Sequence, residues 1–132
     1  MSLIKYTLEY PIKTSISLLY KKLSTASGLS EWFADNVNIK NKILTFYWEG
    51  SEEQAKILKQ KKGEFIRYQW LDENNEEEDD EERYFEFKIQ IDDMTKDIAL
   101  IVTDFAENKE HQEEGTLLWN KEIENLRNAL RI

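Results

Sequence analysis

The sequence predicts an α+β domain in which a curved antiparallel β-sheet wraps around one long C-terminal helix, with two short helices after the first strand. Two observations predict this class. Six consecutive segments with strand-like patterns, joined by turns, fill residues 36–105. An amphipathic helical pattern follows them, and it is the only predicted helix large enough to cover one face of such a sheet.

The chain begins with a predicted half-buried strand. In Leu3–Tyr10, apolar or aromatic side chains alternate with polar ones, which is the period of a strand with one buried face. Pro11 is expected to end this strand. Thr14 or Ser15 can then cap the N-terminus of a first helix, whose apolar residues follow at spacings of three and four. These residues are Ile16, Leu19, Tyr20 and Leu23.

Serine and glycine are expected to separate the first helix from a second one. Ser27-Gly28 is predicted to stop the first helix, because glycine tolerates the left-handed conformation that follows a helix C-terminus. Ser30 is predicted to cap a short helical turn that contains Trp32 and Phe33. Two short helices are therefore expected between the first strand and the rest of the sheet.

Six strands are predicted to follow as a meander. They lie around Val37 and Ile39 and over Ile43–Trp48, Gln54–Gln60, Glu64–Trp70, Tyr84–Ile91 and Asp97–Phe105. Short turns between them are predicted at Asn41-Lys42, Glu49-Gly50-Ser51, Lys62-Gly63 and Asp92-Asp93. Helix is the competing interpretation of Gln54–Gln60, because SEEQAKILKQ has good helix propensity. We choose strand, because the neighbours on both sides are strands joined to it by short turns.

The C-terminal helix is predicted within residues 107–132. After Gly115, a stripe of Trp119, Ile123, Leu126 and Leu130 has spacings of four, three and four residues, which is typical of a helix of about four turns. Charged side chains occupy much of the remaining helix surface. The first strand is expected to join an edge of the sheet, so that residues 1–132 form a single domain.

The net charge of −9 is concentrated in one place. Residues 72–82, DENNEEEDDEE, contain nine of the 27 acidic residues, which leaves 18 acids against 18 bases elsewhere. A block of like charge favours a solvated loop, so we expect an acidic hairpin loop here. A calcium site and a docking patch for a basic partner are the alternatives, although the ligand pattern of an EF-hand is absent. No nucleic-acid partner is expected, since no compensating basic face is visible.

Composition and motifs exclude several kinds of site. The chain has no cysteine, which rules out a disulfide, a thiolate nucleophile and a cysteine-ligated zinc. All four glycines stand alone, so no phosphate-binding loop is present. His111 is the only histidine, and we expect it to be exposed rather than catalytic or metal-binding. We therefore predict a protein that is not an enzyme and that has no metal or cofactor. The absence of a signal peptide or membrane-spanning run favours a cytoplasmic location.

Aromatic residues are the most informative part of the sequence. A strongly curved sheet around one helix leaves a cavity wherever side chains do not fill the space between them. The residues predicted to line this cavity and bind a ligand are Trp32, Phe33, Trp48, Tyr68, Trp70, Phe85, Phe87, Trp119, Ile123 and Leu126. The alternative is that these rings simply fill a core. A few polar side chains, such as those of Tyr68, Tyr6 or Arg67, are expected to orient the ligand.

Several residues recur in an order and spacing known from one superfamily. They are Pro11, Trp32-Phe33, Leu44–Trp48 followed by Gly50, Glu64–Trp70, Ile98–Thr103, and Gly115 before Leu118, Ile123 and Leu126. Through them, nearly the whole chain resembles the START-like (SRPBCC) superfamily of Bet-v-type helix-grip proteins, and within it the group named for the activator of the heat-shock ATPase. The chain departs from this group where Leu117-Leu118-Trp119 replaces a Gly-Trp opening of the last helix, in lacking a Gly-Gly before the third strand, and at the acidic insertion.

The resemblance implies a helix-grip fold and a choice of functions. Members of the superfamily bind lipids, sterols, polyketides or plant hormones in the cavity, a few are cyclases or other enzymes, and others are co-chaperone modules. No catalytic motif of those enzymes is matched here. We therefore expect a domain that binds a hydrophobic or amphipathic, lipid-like small molecule between sheet and helix. The alternative is a protein-interaction or co-chaperone-like module with a filled core and no ligand, and either a monomer or a dimer is compatible with the sequence.

Overall fold

The fold is a seven-stranded antiparallel sheet with a long helix packed on one face. The computed structural model describes residues 3–71 and 84–132, so the acidic hairpin loop predicted over 72–82 lies outside the described residues. The elements are β1 (Ile4–Pro11), α1 (Ile16–Ser24), α2 (Ala26–Leu29), β2 (Asn36–Lys40), β3 (Ile43–Trp48), β4 (Ser51–Lys61), β5 (Phe65–Trp70), β6 (Tyr84–Ile91), β7 (Ile98–Ala106) and α3 (Lys109–Leu130). The strand order is β1-β7-β6-β5-β4-β3-β2. The predicted helix-grip class is confirmed, and β1 joins an edge of the sheet.

Tight turns connect the strands where the sequence predicts them. Asn41 and Lys42 have positive φ angles of 53° and 65° between β2 and β3, which suits the twist of a two-residue hairpin. Gly50 and Gly63 have φ angles of 83° and 79° at the next two turns, where glycine carries no steric penalty. These turns hold β2 to β5 in a continuous meander.

The segment with the strongest competing helix propensity forms a strand. Gln54–Gln60 lies within β4, which pairs with β3 on one side and β5 on the other, so the predicted strand is confirmed. Ala55 is fully buried on its inner face. Pairing along both edges overrides the local preference for helix. A register shift between Ile57 and Lys59 marks a β-bulge, which bends and twists the strand.

The predicted end of the first helix is wrong. α1 begins after Ser15, whose Oγ accepts a hydrogen bond from the N–H three residues further on (3.1 Å), but it ends at Ser24. Ser27-Gly28 lies inside α2 instead. A Cβ at Gly28 would collide with the carbonyl oxygen of Lys21, so this glycine permits the close approach of α2 to α1 and does not stop a helix.

The cap of the second helix also differs from the prediction. Thr25, not Ser30, caps the N-terminus of α2, because Thr25 Oγ1 accepts a hydrogen bond from Gly28 N (2.9 Å). Ser30 is the C-terminal cap, and Trp32 and Phe33 lie in the turn that follows. Several serines and threonines in this stretch can serve as caps, and the packing of α2 against α1 selects among them.

Side chains from other segments hold the C-terminus of α1. The last carbonyl groups of a helix have no partner within the helix. Here Trp32 Nε1 donates a hydrogen bond to the carbonyl of Lys22 (2.8 Å), and Tyr68 Oη donates one to the carbonyl of Leu23 (2.6 Å). The end of α1 is thereby fixed to β5 and to the turn after α2.

The C-terminal helix lies within the predicted residues 107–132, and its 22 residues make it longer than the predicted four turns. α3 starts after Asn108, whose Oδ1 accepts a hydrogen bond from His111 N (2.8 Å), while His111 Nδ1 accepts one from Glu107 N (3.0 Å). Gly115 therefore lies inside the helix and not before it. A Cβ there would collide with the hydroxyl of Tyr6 on β1, which is the physical reason for a glycine in a helix interior.

The predicted apolar stripe packs α3 against the sheet. Trp119, Ile123 and Leu126 are buried, and Leu130 is partly buried against the same core. A helix packed along one face of an antiparallel sheet removes the apolar side of both from water. Among the described residues, no helix has the length and apolar character needed to cross a membrane.

Candidate functional site

The interior between the sheet and α3 is filled by aromatic rings. Tyr68, Phe85 and Phe87 are at most 1% exposed, and their ring centroids lie 5.1, 5.6 and 6.2 Å apart. These are contact distances for packed aromatic pairs. Ile123 and Leu126 of α3 are fully buried in the same cluster. The ten residues predicted to line a cavity are thus brought together, and binding of a ligand to them stays a prediction.

Open space begins where this ring cluster reaches the surface. A cleft of about 280 Å³, which we call the strand-side cleft, lies between α3 and the strands β1 and β7. Its lining residues are Tyr6, Phe33, Trp48, Asp104, Phe105, His111, Gly115, Leu118, Trp119 and Glu122. A second cleft of about 590 Å³, the loop-side cleft, lies between α3 and residues 30–35. Its lining residues are Ser30, Glu31, Trp32, Phe33, Ala34, Asp35, Trp48, Glu122, Asn125, Asn128 and Ala129.

Four of the ten predicted residues line these clefts. They are Trp32, Phe33, Trp48 and Trp119. Phe33 stacks on Trp119 with centroids 5.9 Å apart and meets Trp48 edge-on at 5.7 Å, so it forms a wall common to both clefts. The six residues that line neither cleft are Tyr68, Trp70, Phe85, Phe87, Ile123 and Leu126.

Hydrogen bonds fix two of the tryptophan rings in this wall. Trp119 Nε1 donates to Asp104 Oδ2 (2.8 Å), and Trp48 Nε1 donates to the carbonyl of Phe33 (2.9 Å). A buried indole N–H normally requires such a partner. Because both N–H groups are satisfied within the protein, the rings are held in place and present apolar surface to the clefts.

A desolvated carboxylate lines the strand-side cleft. Asp104 continues the inward face of β7 after Leu100 and Val102, which are buried. Burial raises the pKa of Asp104 above its ordinary value, while hydrogen bonds from Trp119 Nε1 and from the backbone N–H of Phe105 (2.8 Å) oppose the rise. A half-buried carboxylate is therefore fixed by these donors at the edge of the aromatic wall.

Two further polar side chains adjoin Asp104. Burial raises the pKa of the Tyr6 phenol, and the charge of Asp104 adds to that rise. His111 is exposed, as predicted, and only its protonated form would lower the pKa of Asp104. The Tyr6 phenol stays protonated at neutral pH and is hydrogen-bonded to Asp104, so the strand-side cleft holds a hydroxyl, a carboxylate and an imidazole side by side.

A second carboxylate, that of Glu122, lines both clefts. Glu122 lies on α3 between Trp119 and Ile123 of the apolar stripe, and its Oε2 atom is buried with no hydrogen-bond partner among the described residues. Burial raises the pKa of Glu122 to about 7; Lys121 opposes the rise and the charge of Asp35 adds to it. This side chain lacks the compensating partner that a buried charge normally has.

The polar groups expected to orient a ligand are placed differently. Tyr6 lines the strand-side cleft. The Tyr68 hydroxyl is engaged with α1, as described above. Arg67 points to the other face of β5, where it forms an ion pair with Glu86 (2.9 Å) and lies 4.2 Å from the ring centroid of Tyr84. Tyr68 and Arg67 therefore make structural contacts in this fold, and orientation of a ligand by them stays a prediction.

The two cleft carboxylates are absent from the sequence prediction. Asp104 falls two residues after Val102 on the inner face of a strand, and Glu122 falls three residues after Trp119 on the apolar stripe of a helix. An acidic residue at an inward position of an apolar pattern is the signal that would have found both of them.

A third cleft lies apart from α3. It has a volume of about 880 Å³ and lies between α1 and the β4–β5 turn, where its lining includes Ile16, Tyr20, Lys21 and Lys62. None of the predicted site residues lines it. In the described parts of the chain, no three His, Cys, Asp or Glu side chains are grouped so that they could hold a metal ion.

The fold and these clefts define an α+β helix-grip domain with open clefts along its C-terminal helix. The chain belongs to the START-like superfamily, whose domain matches residues 1–132. Domains of this superfamily are generally ligand-binding or interaction modules. The predicted family membership is confirmed.

Solved structures of several bacterial proteins share this fold. A solution NMR structure from Bacteroides fragilis has 35% sequence identity and a TM-score of 0.67, covering 98% of this chain and 93% of that one. The Aha1 dimer from Colwellia psychrerythraea has 17% identity and a TM-score of 0.77, covering 98% and 97%. A Cytophaga hutchinsonii protein has 14% identity and a TM-score of 0.74, covering 99% and 97%. The last two likenesses show the fold alone. No curated protein matches this sequence.

Proposed function

We propose that this protein is a binding domain for a hydrophobic or amphipathic, lipid-like small molecule, and that it is not an enzyme. The proposed site is the strand-side cleft and not the ring-filled interior, because the interior rings contact one another. The observation that carries the proposal is the pairing of an apolar wall, formed by Phe33, Trp48 and Leu118, with the polar groups of Tyr6 and Asp104. Small-molecule sites typically combine a mainly apolar lining with a few polar groups that orient the ligand.

The size of the clefts favours a small or elongated ligand. The strand-side cleft, at about 280 Å³, lies near the lower end of the range of roughly 300–1,000 Å³ for ligand pockets. The loop-side cleft adds about 590 Å³ on the other side of Phe33, Trp48 and Glu122. A short amphipathic molecule fits the strand-side cleft, and an extended one would pass Phe33, Trp48 and Glu122 into the loop-side cleft.

Two adjacent leucines provide a matched test of this site. Leu118 lines the strand-side cleft and is 62% exposed, whereas Leu117 is 70% exposed and lines none of the three clefts. Neither side chain supports the core, so Leu118→Gln and Leu117→Gln should both fold normally. We would incubate each protein with a lipid extract, recover it by affinity capture and identify bound molecules by mass spectrometry.

The expected result is a small molecule enriched on the wild-type protein and on Leu117→Gln, but reduced several-fold on Leu118→Gln. An unrelated domain of similar size gives the background level. Wild-type recovery no higher than this background would contradict the proposal, as would an equal loss in the two variants.

The second candidate is a protein-interaction or co-chaperone-like module that uses no ligand. The filled ring cluster and the exposure of Leu117 and Leu118 on neighbouring positions of α3 favour it. In that case both leucine substitutions would weaken capture of a protein partner or self-association, and neither would change small-molecule recovery. The Colwellia psychrerythraea relative is described as a dimer, so size-exclusion chromatography with light scattering should accompany the capture experiment.

A further inference from the structure

The charges that line the two clefts along α3 are of one sign. The strand-side cleft contains Asp104 and Glu122, and the loop-side cleft contains Glu31, Asp35 and Glu122. Neither lining includes a lysine or an arginine, and His111 is the one basic side chain in either. The site proposed above therefore offers carboxylates, without cations, beside an aromatic wall.

Most of these carboxylates already have partners. Glu31 forms an ion pair with Lys22 (2.5 Å), and Asp35 Oδ2 accepts a hydrogen bond from the backbone N–H of Glu49 (3.0 Å). Asp104 accepts the two bonds described above. Glu122 is the exception, because its buried Oε2 has no hydrogen-bond partner among the described residues. An uncompensated, partly buried carboxylate is unfavourable in the empty site and becomes favourable once a cation pairs with it.

The aromatic wall suits the same kind of group. Phe33 and Trp48 line both clefts beside Glu122, and Trp119 lies one turn before Glu122 on α3. Ring faces attract cations within about 6 Å of the ring centroid, and most strongly where water is excluded. An ammonium group beside Glu122 would therefore meet a carboxylate and aromatic rings together.

We propose that the ligand of this cleft is a cationic amphipath, with its apolar body against Phe33, Trp48 and Leu118 and a protonated amine paired with Glu122. This inference rests on the proposed function and adds the charge of the ligand to it. The lone unpaired carboxylate between aromatic walls selects against an anionic head group such as a carboxylate or sulfate, because like charges would then be brought together.

Three probes with the same apolar chain and different head groups test the inference. Octylammonium, 1-octanol and octanoate are titrated into the protein by calorimetry at about pH 8, where most Glu122 side chains are ionised, with tryptophan fluorescence as a second readout because Trp48 and Trp119 line the cleft. Glu122→Gln removes the proposed partner. Glu113→Gln is the matched control, because Glu113 is exposed on the same helix, lines none of the three clefts and lowers the negative charge of the protein equally when replaced.

We expect octylammonium to bind about tenfold more tightly than 1-octanol, and octanoate to bind most weakly. Glu122→Gln should remove the preference for octylammonium over 1-octanol, while Glu113→Gln preserves the wild-type order. Equal affinities of octylammonium and 1-octanol for the wild-type protein would overturn the inference but leave the proposed function standing. Equal losses of octylammonium affinity in the Glu122→Gln and Glu113→Gln proteins would also overturn the inference, since the net charge of the protein alone would then explain the preference. Failure of all three probes to bind would instead contradict the proposed function.

Discussion

The Tyr68 hydroxyl is a structural group, and Tyr68→Phe tests this assignment. The ring is fully buried, and Oη donates a 2.6 Å hydrogen bond to the carbonyl of Leu23 at the C-terminus of α1. Phenylalanine would keep the ring and its stacking on Phe85 at 5.1 Å. It would leave the Leu23 carbonyl without this donor in a place that water does not reach.

The size of the effect follows from the burial of both groups. Loss of the bond and of the partner for a buried carbonyl together cost about 1–3 kcal/mol. For a domain of this length, a loss of about 2 kcal/mol lowers Tm by roughly 6–10 °C. Thermal unfolding followed by circular dichroism measures Tm, and guanidinium titration measures the free energy of unfolding at an unchanged m-value.

Tyr20→Phe is the matched control for this experiment. It also removes a hydroxyl, but one that is partly exposed and lies 3.4 Å from Gln60 Oε1, so we expect a loss below about 0.5 kcal/mol. A Tyr68→Phe protein as stable as the wild type would refute the assignment. Equal destabilisation by the two substitutions would refute it too, because burial of the bond would then make no difference.

Two further predictions concern residues along α3. Gly115→Ala should destabilise the protein despite the better helix propensity of alanine, because the new methyl group collides with the Tyr6 hydroxyl. In a Tyr6→Phe background, which lacks this hydroxyl, Gly115→Ala should stabilise the protein by up to about 1 kcal/mol. Denaturation of the four proteins completes this cycle, and Gly115→Ala more stable than the wild type would contradict it. The pKa of Glu122 is about 7 in the folded protein, against an ordinary value of 4.5. At a pH between these two values the native state binds more protons than the unfolded state, so the stability of the protein falls as the pH rises. The Glu122→Gln protein should therefore be more stable than the wild type by about 1–3 kcal/mol at about pH 8, with a much smaller difference at about pH 5. Urea denaturation at each pH measures the free energy of unfolding of both proteins. A difference between them that does not change with pH would contradict the prediction.

Hydrophobic patterns with the period of a strand or of an amphipathic helix were sufficient to predict most helices and strands. β6 covers Tyr84–Ile91, as its alternation predicts, and Phe85, Phe87 and Ile89 on its inner face are buried. Glycines were misleading where contacts decide their role. Gly28 and Gly115 both lie inside helices. Glycine is needed there because a Cβ at Gly28 would collide with the carbonyl oxygen of Lys21 on α1, and a Cβ at Gly115 with the hydroxyl of Tyr6 on β1. Helix-stop rules describe local backbone preference and contain no information about such contacts.

The candidate site was only partly predictable for a related reason. Alternation indicates that Phe85 and Phe87 face inward, but empty volume depends on how all the rings pack together, which no local pattern specifies. The sequence therefore indicated the right residues for the interior and left the clefts at its surface undetermined. The apolar patterns place Asp104 and Glu122 at inward positions, but the desolvation that raises the pKa of each comes from neighbours on other elements and appears only in three dimensions.

The position of β1 has a consequence for folding kinetics. Within the described sheet, β1 and β7 are the one neighbouring pair that is not consecutive in the chain, and their pairing joins Ile4 to Ala106 across about one hundred residues. The other strands can assemble as consecutive hairpins. Pairing of β1 with β7 instead closes a long loop, and no local contacts offset the loss of chain entropy. We therefore expect β1 to dock last and to detach first, with its amides exchanging faster than those of β6. Because Tyr6 lies on β1, transient release of this strand would widen the strand-side cleft.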